Sequence, residues 1–179
     1  MTATRDDDRL LQIEDLHVEF LTDRGWTTVV SGVSFDVEPG QIVGLVGESG
    51  SGKSVTSLSV LGLLPGAYAR IPTGHVRYRG RDLVGMPERE LRDIRGNEIS
   101  MIFQEPMTSL NPAFTIGDQI AEVYRRHKGG SRRAAFARAA EMLDLVGIPD
   151  ANSRVKDYPH EFSGGMRQRA MIAMALACE

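Results

Sequence analysis

One cysteine stands in 179 residues, so an internal disulfide and a metal site built from several thiolates are both excluded. Cys178 is left to pack as a small apolar residue. Long hydrophobic runs are missing as well: the longest, Ala170 to Cys178, is about half of the roughly 18 to 20 residues that a bilayer-spanning helix needs. The segment Met1 to Arg9 is acidic and polar with no apolar stretch, and is not expected to be a signal peptide. Any role at a membrane is therefore expected to run through partner proteins. Excess positive charge is lacking too. The net charge of -3 predicts no broad affinity for nucleic acid or acidic membranes, and the basic runs Arg125-Arg126-His127-Lys128 and Arg132-Arg133 read as solvated helix faces. What remains is an ordinary soluble composition, long enough for one domain with a sizeable core or one domain with a smaller appendage.

Against that background one stretch stands out. Gly47-Glu48-Ser49-Gly50-Ser51-Gly52-Lys53-Ser54 follows the apolar, β-branched segment Gln41 to Val46, which reads as a buried strand, and leads into a helical pattern. This is a P-loop. A triphosphate is bound mainly by backbone N–H groups, and these converge on an anion only where side chains do not block the approach, hence the glycines. Lys53 supplies a point charge to the β- and γ-phosphates, Ser54 offers a hydroxyl to Mg2+, and the following helix turns its positive end to the anion.

Upstream, Leu11 to Phe20, Trp26 to Val30 and Val33 to Glu38 show period-two character separated by turns, which predicts three short strands of an antiparallel sheet. Downstream, Lys53 to Leu64 reads as a helix ended by Pro65-Gly66, Gly74 to Gly80 as a short strand, and Pro87 to Arg95 as a charged helix. Glu98 to Phe103 reads as an apolar strand stopping at Gln104-Glu105-Pro106. Gln104 thus sits where a loop begins, a position that suits an amide reaching a metal or water, and equally an ordinary surface turn. The pattern then turns helical. Ile116, Ile120, Val123 and His127 share one spacing, and Phe136, Ala139, Ala140, Leu143 and Val146 another. Last, Ser163-Gly164-Gly165 precedes an apolar helix. Ser163 is a good N-cap and the glycines leave the free N–H groups accessible, which fits a second anion site or a capped helix start without a ligand.

Taken together, Gly47 to Ser54, Gln104 and Phe162-Ser163-Gly164-Gly165-Met166, in that order, resemble the Walker A, Q-loop and signature motifs of ABC transporter ATP-binding subunits. Phe103 to Pro112 and Phe162 to Arg169 resemble the versions in the dipeptide, oligopeptide and nickel importer group, and the similarity covers about residues 10 to 179. The resemblance implies an α/β fold: a P-loop NTPase core with an N-terminal antiparallel β subdomain and a helical insertion. It divides the chain into a nucleotide-binding core with the β subdomain (residues 1–104), a Q-loop and helical subdomain (105–162), and the signature with the helix returning to the core (163–179). Phe20 matches the aromatic that stacks on adenine, with Trp26 the weaker candidate across the turn. Gln104 becomes a catalytic residue and, with Ser54, a holder of Mg2+. Phe162 and Met166 depart from the commonest signature in a way usual for the importer group.

In such a family two ATPase subunits, alike or different, pair head to tail, each ATP lying between one chain's P-loop and Ser163, Gly164 and Gly165 of the other. The implied partners are that second subunit, transmembrane permease subunits and, indirectly, an extracytoplasmic solute-binding protein, at the cytoplasmic face of the cell membrane and without nucleic acid. Family members continue past the signature into an apolar strand ending in Asp-Glu, a D-loop and a switch histidine, whereas the sequence in hand ends at Ala177-Cys178-Glu179. The expectation is the N-terminal portion of a longer transport ATPase, inactive alone, with an incomplete core sheet that exposes the apolar faces of Gln41 to Val46 and Glu98 to Phe103. The alternative is a non-hydrolytic ATP-binding regulatory module. An ABC-type ATPase acting on nucleic acid fits less well, lacking a long coiled coil and net basic charge.

Overall fold

The computed structural model describes residues 9–103 and 109–179. Gln104 lies outside the described residues. The chain divides into two compact units, Met1–Leu91 and Arg92–Glu179.

The first unit is built on an antiparallel sheet in the order β2-β1-β4-β5, with β3 also paired to β1. β1 (Leu11–Thr22) and β2 (Gly25–Val37) form a long hairpin, β3 is Ala69–Arg70, β4 His75–Tyr78 and β5 Arg81–Asp82. Two of the three expected strands are in fact one: β2 runs through the positive φ of Gly32 and takes up register shifts opposite Leu16 and Val18. β1 has its own irregularity. Its inward residues switch from Ile13 to Leu16 and Val18 because Asp15, at φ 44, adds a residue to the strand. Gly74 is pressed against this bulge, its φ is +100 and a Cβ there would overlap the Asp15 carbonyl oxygen. Arg79 and Gly80, both at positive φ, make the tight turn joining β4 to β5.

Helix α1 (Lys53–Val60) stops earlier than its apolar pattern suggests. Gly62, at φ 58, donates to Ser59 O, and Leu63 reaches back to Leu58 O, so a left-handed glycine ends the helix before Pro65-Gly66 is reached. Helix α2 (Glu88–Ile94) follows at the boundary of the units.

The second unit packs α3 (Ile116–Lys128), α4 (Arg132–Leu145), the one-turn α5 (Ala151–Arg154), a 3-10 turn at Pro159–Glu161 and α6 (Gly164–Ala175) around one apolar core. The two helical periodicities place Ile116, Ile120, Ala139 and Leu143 in that core, with Phe162 and Ala170 from the signature segment. Thr115 and Ser131 cap α3 and α4 through their hydroxyls. Cys178 is buried, and burial raises its thiol pKa. Among the described residues no helix is long and apolar enough to cross a membrane.

The segments Gln41 to Val46 and Glu98 to Phe103, expected as strands, join no sheet; Ile99 makes a single isolated bridge to Arg95. Their apolar side chains are correspondingly bare, with Ile42 97% and Val46 90% exposed and Ile102 and Phe103 exposed as well. A strand is defined by its neighbours, and among the described residues none lies beside either segment. The core sheet is thus incomplete, as expected.

His127 near the end of α3 offers a pH test. Burial lowers its pKa below the ordinary 6.5, Arg126 and Lys128 add to the effect, and Asp93 and a hydrogen bond to the Arg95 backbone oppose it. The unfolded chain therefore binds the extra proton first. The stabilising contribution is complete above about pH 6.5 and falls away as pH drops from there toward the folded-state pKa. His127→Gln is expected to flatten that acid-side slope in denaturation midpoints measured between about pH 5 and 7.

Candidate nucleotide site

The P-loop follows the β hairpin in the first unit and closes onto α1. Gly52 is the N-cap of α1 in a left-handed conformation, φ 89 and ψ 0, and a Cβ on it would come 3.0 Å from Val30 Cγ2 and 3.2 Å from Val29 O. Only glycine meets both demands. Gly47 is crowded by a side chain instead: its Cβ would sit 2.6 Å from Ser51 Oγ, so Ser51 would have to turn away. Within this cradle the Lys53 ammonium turns back over the loop and donates to Gly47 O at 2.8 Å, Glu48 O at 2.6 Å and Ser51 Oγ at 3.3 Å. Thr56 fixes the first turn, its N–H and hydroxyl both donating to Gly52 O. Among the described residues, the amides of Lys53 and Ser54 meet no protein acceptor, and the Ser54 hydroxyl is exposed. A cation, a row of free amides and a hydroxyl at one helix N-terminus fit a polyphosphate with its metal.

Phe20 and Trp26, the two aromatic candidates, lie on opposite faces of the sheet. Trp26 pairs with Leu21 and Phe20 with Thr27 and Ala69, so alternation separates them. Phe20 shares its face with Val18 and its partner Val30, the residue whose methyl approaches Gly52. Trp26 instead has the Arg70 guanidinium 4.2 Å over its ring, and Arg70 is tied to Glu19 at 2.7 Å.

The signature lies in the second unit. Phe162 anchors it in the helical core, and Ser163, at φ -64 and ψ 164, accepts a hydrogen bond from Met166 N at 3.3 Å. The amides of Gly164 and Gly165, ahead of it on α6, meet no acceptor among the described residues. Neither glycine has positive φ, and nothing lies within 4 Å of a Cβ built on either. The chain's own packing does not require glycine at either position, and the two residues leave the start of α6 open to solvent. The approach to Ser163 is braced in a way the sequence did not announce: Tyr158 N–H bonds Glu161 Oε2 at 2.7 Å, and Arg167 Nε bonds Pro159 O at 2.6 Å. A Glu three residues after Tyr158 is the one signal that could have suggested it.

Residues 30–179 match the family described as ABC transporter. The chain belongs to the ABC transporter family. Its relatives within the family include the dipeptide transport ATP-binding protein DppD of Bacillus subtilis, 52% identical over 172 residues, an alignment covering 96% of this chain and 51% of that protein. The oligopeptide transport ATP-binding protein OppD of the same organism is 50% identical over 169 residues, covering 94% of this chain and 47% of that one. The chain spans about half the length of these curated relatives. Among solved structures, the dimeric bacterial ABC transporter cassette MJ0796 superposes with a TM-score of 0.82 at 24% identity, covering 94% of this chain and 69% of that one. That likeness extends the family assignment to the fold: this ABC transporter chain has the mixed α/β architecture of an ABC ATPase cassette, with its core sheet incomplete.

Proposed function

We propose that this chain is the nucleotide-binding and signature portion of an ABC importer ATPase that couples ATP binding and hydrolysis to uptake of peptides or a related solute. The observation that carries the reading is that one chain holds two helix N-termini with open amides, at Lys53-Ser54 and at Gly164-Gly165, in separate compact units. Peptide transport rests on the relatives, two of which are a dipeptide and an oligopeptide transport ATP-binding protein at 50% identity or more.

In this reading Gly47 to Ser54 hold the triphosphate, and Phe20 stacks on adenine. Ser54 and Gln104 would hold Mg2+, which when bound draws charge from the β- and γ-phosphates. Gln104 acts in catalysis. Ser163, Gly164 and Gly165 complete the site of a second cassette, the same chain or a related one, arranged head to tail. Permease subunits dock on the second unit at the cytoplasmic face of the membrane, and a solute-binding protein acts through them. A groove of about 1140 Å³ there, lined by Arg95, Phe114, Asp118, Glu122, Arg125 and Phe136, is the docking surface this reading selects.

Gln119 gives the test. Its side chain accepts from Asn111 N at 2.9 Å and donates to Asn111 O at 3.0 Å and Phe114 O at 3.1 Å, so it fixes the loop at the groove's edge. In the longer protein reconstituted with its permease in vesicles, ATP-dependent peptide uptake is expected. Gln119→Ala is expected to lower uptake per ATP hydrolysed about 10-fold while nucleotide binding persists. ATP binding without hydrolysis by the longer wild-type protein would instead establish the regulatory-module reading, and unchanged coupling in Gln119→Ala would remove the groove from the account.

A further inference from the structure

The two long-range hydrogen bonds at the start of α3 point to a residue with a role in setting the signature. The first three amides of this helix are all satisfied: Ile116 N–H by Asp157 O at 2.9 Å, Gly117 N–H by Val155 O at 2.9 Å, and Asp118 N–H by the Thr115 hydroxyl at 3.1 Å. Two of these acceptors come from the segment that leads into the signature. Gly117 makes the contact possible. A Cβ at this position would overlap the Val155 carbonyl oxygen and lie 2.8 Å from Val155 Cβ and 3.1 Å from Phe136 Cε1. Its φ is not positive, so close approach alone accounts for the glycine.

From this seat a continuous set of bonds runs to Ser163. Arg154 and Asp157 pair at 2.8 Å, Glu161 holds Tyr158 N, Arg167 holds Pro159 O, and buried Phe162 pins the last residue before the serine. We propose that Gly117 is a positioning residue for the signature: it lets the start of α3 grip the Val155–Asp157 backbone, so that a shift of α3 is passed to Ser163, Gly164 and Gly165. This rests on the ATPase reading above and adds a coupling route within the second unit. α3 follows Gln104 closely in sequence, so the element that leaves the Q-loop and the element that carries the signature are gripped at one point.

The test uses the longer protein. Gly117→Ala is expected to leave nucleotide affinity and KM for ATP within about 2-fold and to lower kcat about 10-fold or more, because the signature acts in catalysis and misplacement of about 1 Å is enough. In a Ser163→Ala background the same substitution is expected to lower kcat clearly less than in the wild type, by about 3-fold or less, since one of the three residues being positioned has lost its functional group. A purely structural role would give the same loss in both backgrounds and overturn the proposal, as would an unchanged kcat. Should Gly117→Ala not fold, Asp157→Ala loosens the same seat by removing the Arg154 pair without inserting atoms, and the same dependence on Ser163 is expected with a loss of about 3-fold. A wild-type protein without ATPase activity overturns the ATPase reading and this inference together; an active wild type with a silent Gly117→Ala overturns this inference alone.

Discussion

Lys53→Ala in the longer protein is expected to weaken nucleotide binding about 10- to 100-fold and to lower the ATPase kcat about 100- to 1000-fold, with the fold intact. Among the described residues the ammonium has no acidic partner; it rests on two carbonyls and a hydroxyl of its own loop. Such contacts are exchanged easily for a phosphate, and a charge-assisted hydrogen bond to an anion contributes about 1.5–3 kcal/mol. The larger effect on kcat follows because charge builds on the transferring phosphoryl group, where loss of one aligned donor typically costs about 2.7–4 kcal/mol. Removing an ammonium from this half-buried setting, where it holds only its own loop, is expected to move stability by no more than about 1 kcal/mol. Lys53→Arg is expected to fare little better, because a planar guanidinium cannot fold back between Gly47 O and Glu48 O as a compact point charge does. Fluorescent-nucleotide titration and steady-state kinetics read both numbers; a variant that binds and hydrolyses ATP like wild type would remove Lys53 from the site.

Gly165→Asp separates function from stability by sign. Nothing lies within 4 Å of a Cβ at this position and its φ is ordinary, so the side chain enters open space. A carboxylate in the first turn of α6 also favours the helix, by about 0.3–1 kcal/mol, through the positive N-terminal end. Thermal unfolding is therefore expected at the wild-type temperature or slightly above. Activity should move the other way. In the proposed shared site the carboxylate stands where the signature amides would meet a γ-phosphate, and two like charges about 4 Å apart in an interface of effective dielectric near 20 repel by about 4 kcal/mol. ATP-driven association of cassettes, followed by sedimentation, is expected to fall at least about 100-fold while each chain still binds nucleotide at its P-loop. A stable variant that associates and hydrolyses normally would show that the open end of α6 has another purpose.

Much of the site could be read before any coordinates, because its parts are local. Eight consecutive residues set the P-loop, and the caps at Thr115, Ser131 and Ser163 depend on a hydroxyl and the amide three positions on. The two long helices of the second unit followed from spacing for the same reason. What could not be read depends on neighbours. Gln41 to Val46 and Glu98 to Phe103 read as strands in the sequence, yet a strand needs a ladder, and among the described residues none is beside them. The bulge at Asp15 is a non-glycine residue at positive φ, which no pattern of alternation marks. Gly117 reads in sequence as a tolerated glycine near a helix start; only the Val155 carbonyl against it reveals a requirement. That Phe20 and Trp26 sit on opposite faces of the sheet likewise needed the register of β1 against β2.

The central claim is that each ATP site is shared between two chains, and the placement of two inactivating substitutions tests it most directly. Differently tagged copies of two cassettes that pair, purified through both tags, can carry Lys53→Ala and Gly165→Asp either on separate chains or together on one chain beside a wild-type partner. If the P-loop of one chain works with the signature of the other, separate placement puts both lesions in one site and leaves the second whole, so about half of the wild-type ATPase activity is expected for independent sites. Placement on one chain damages both sites and is expected to leave about 1% or less. The opposite ranking, activity with both substitutions on one chain and none with them apart, would show that each chain completes its own site and would contradict the account.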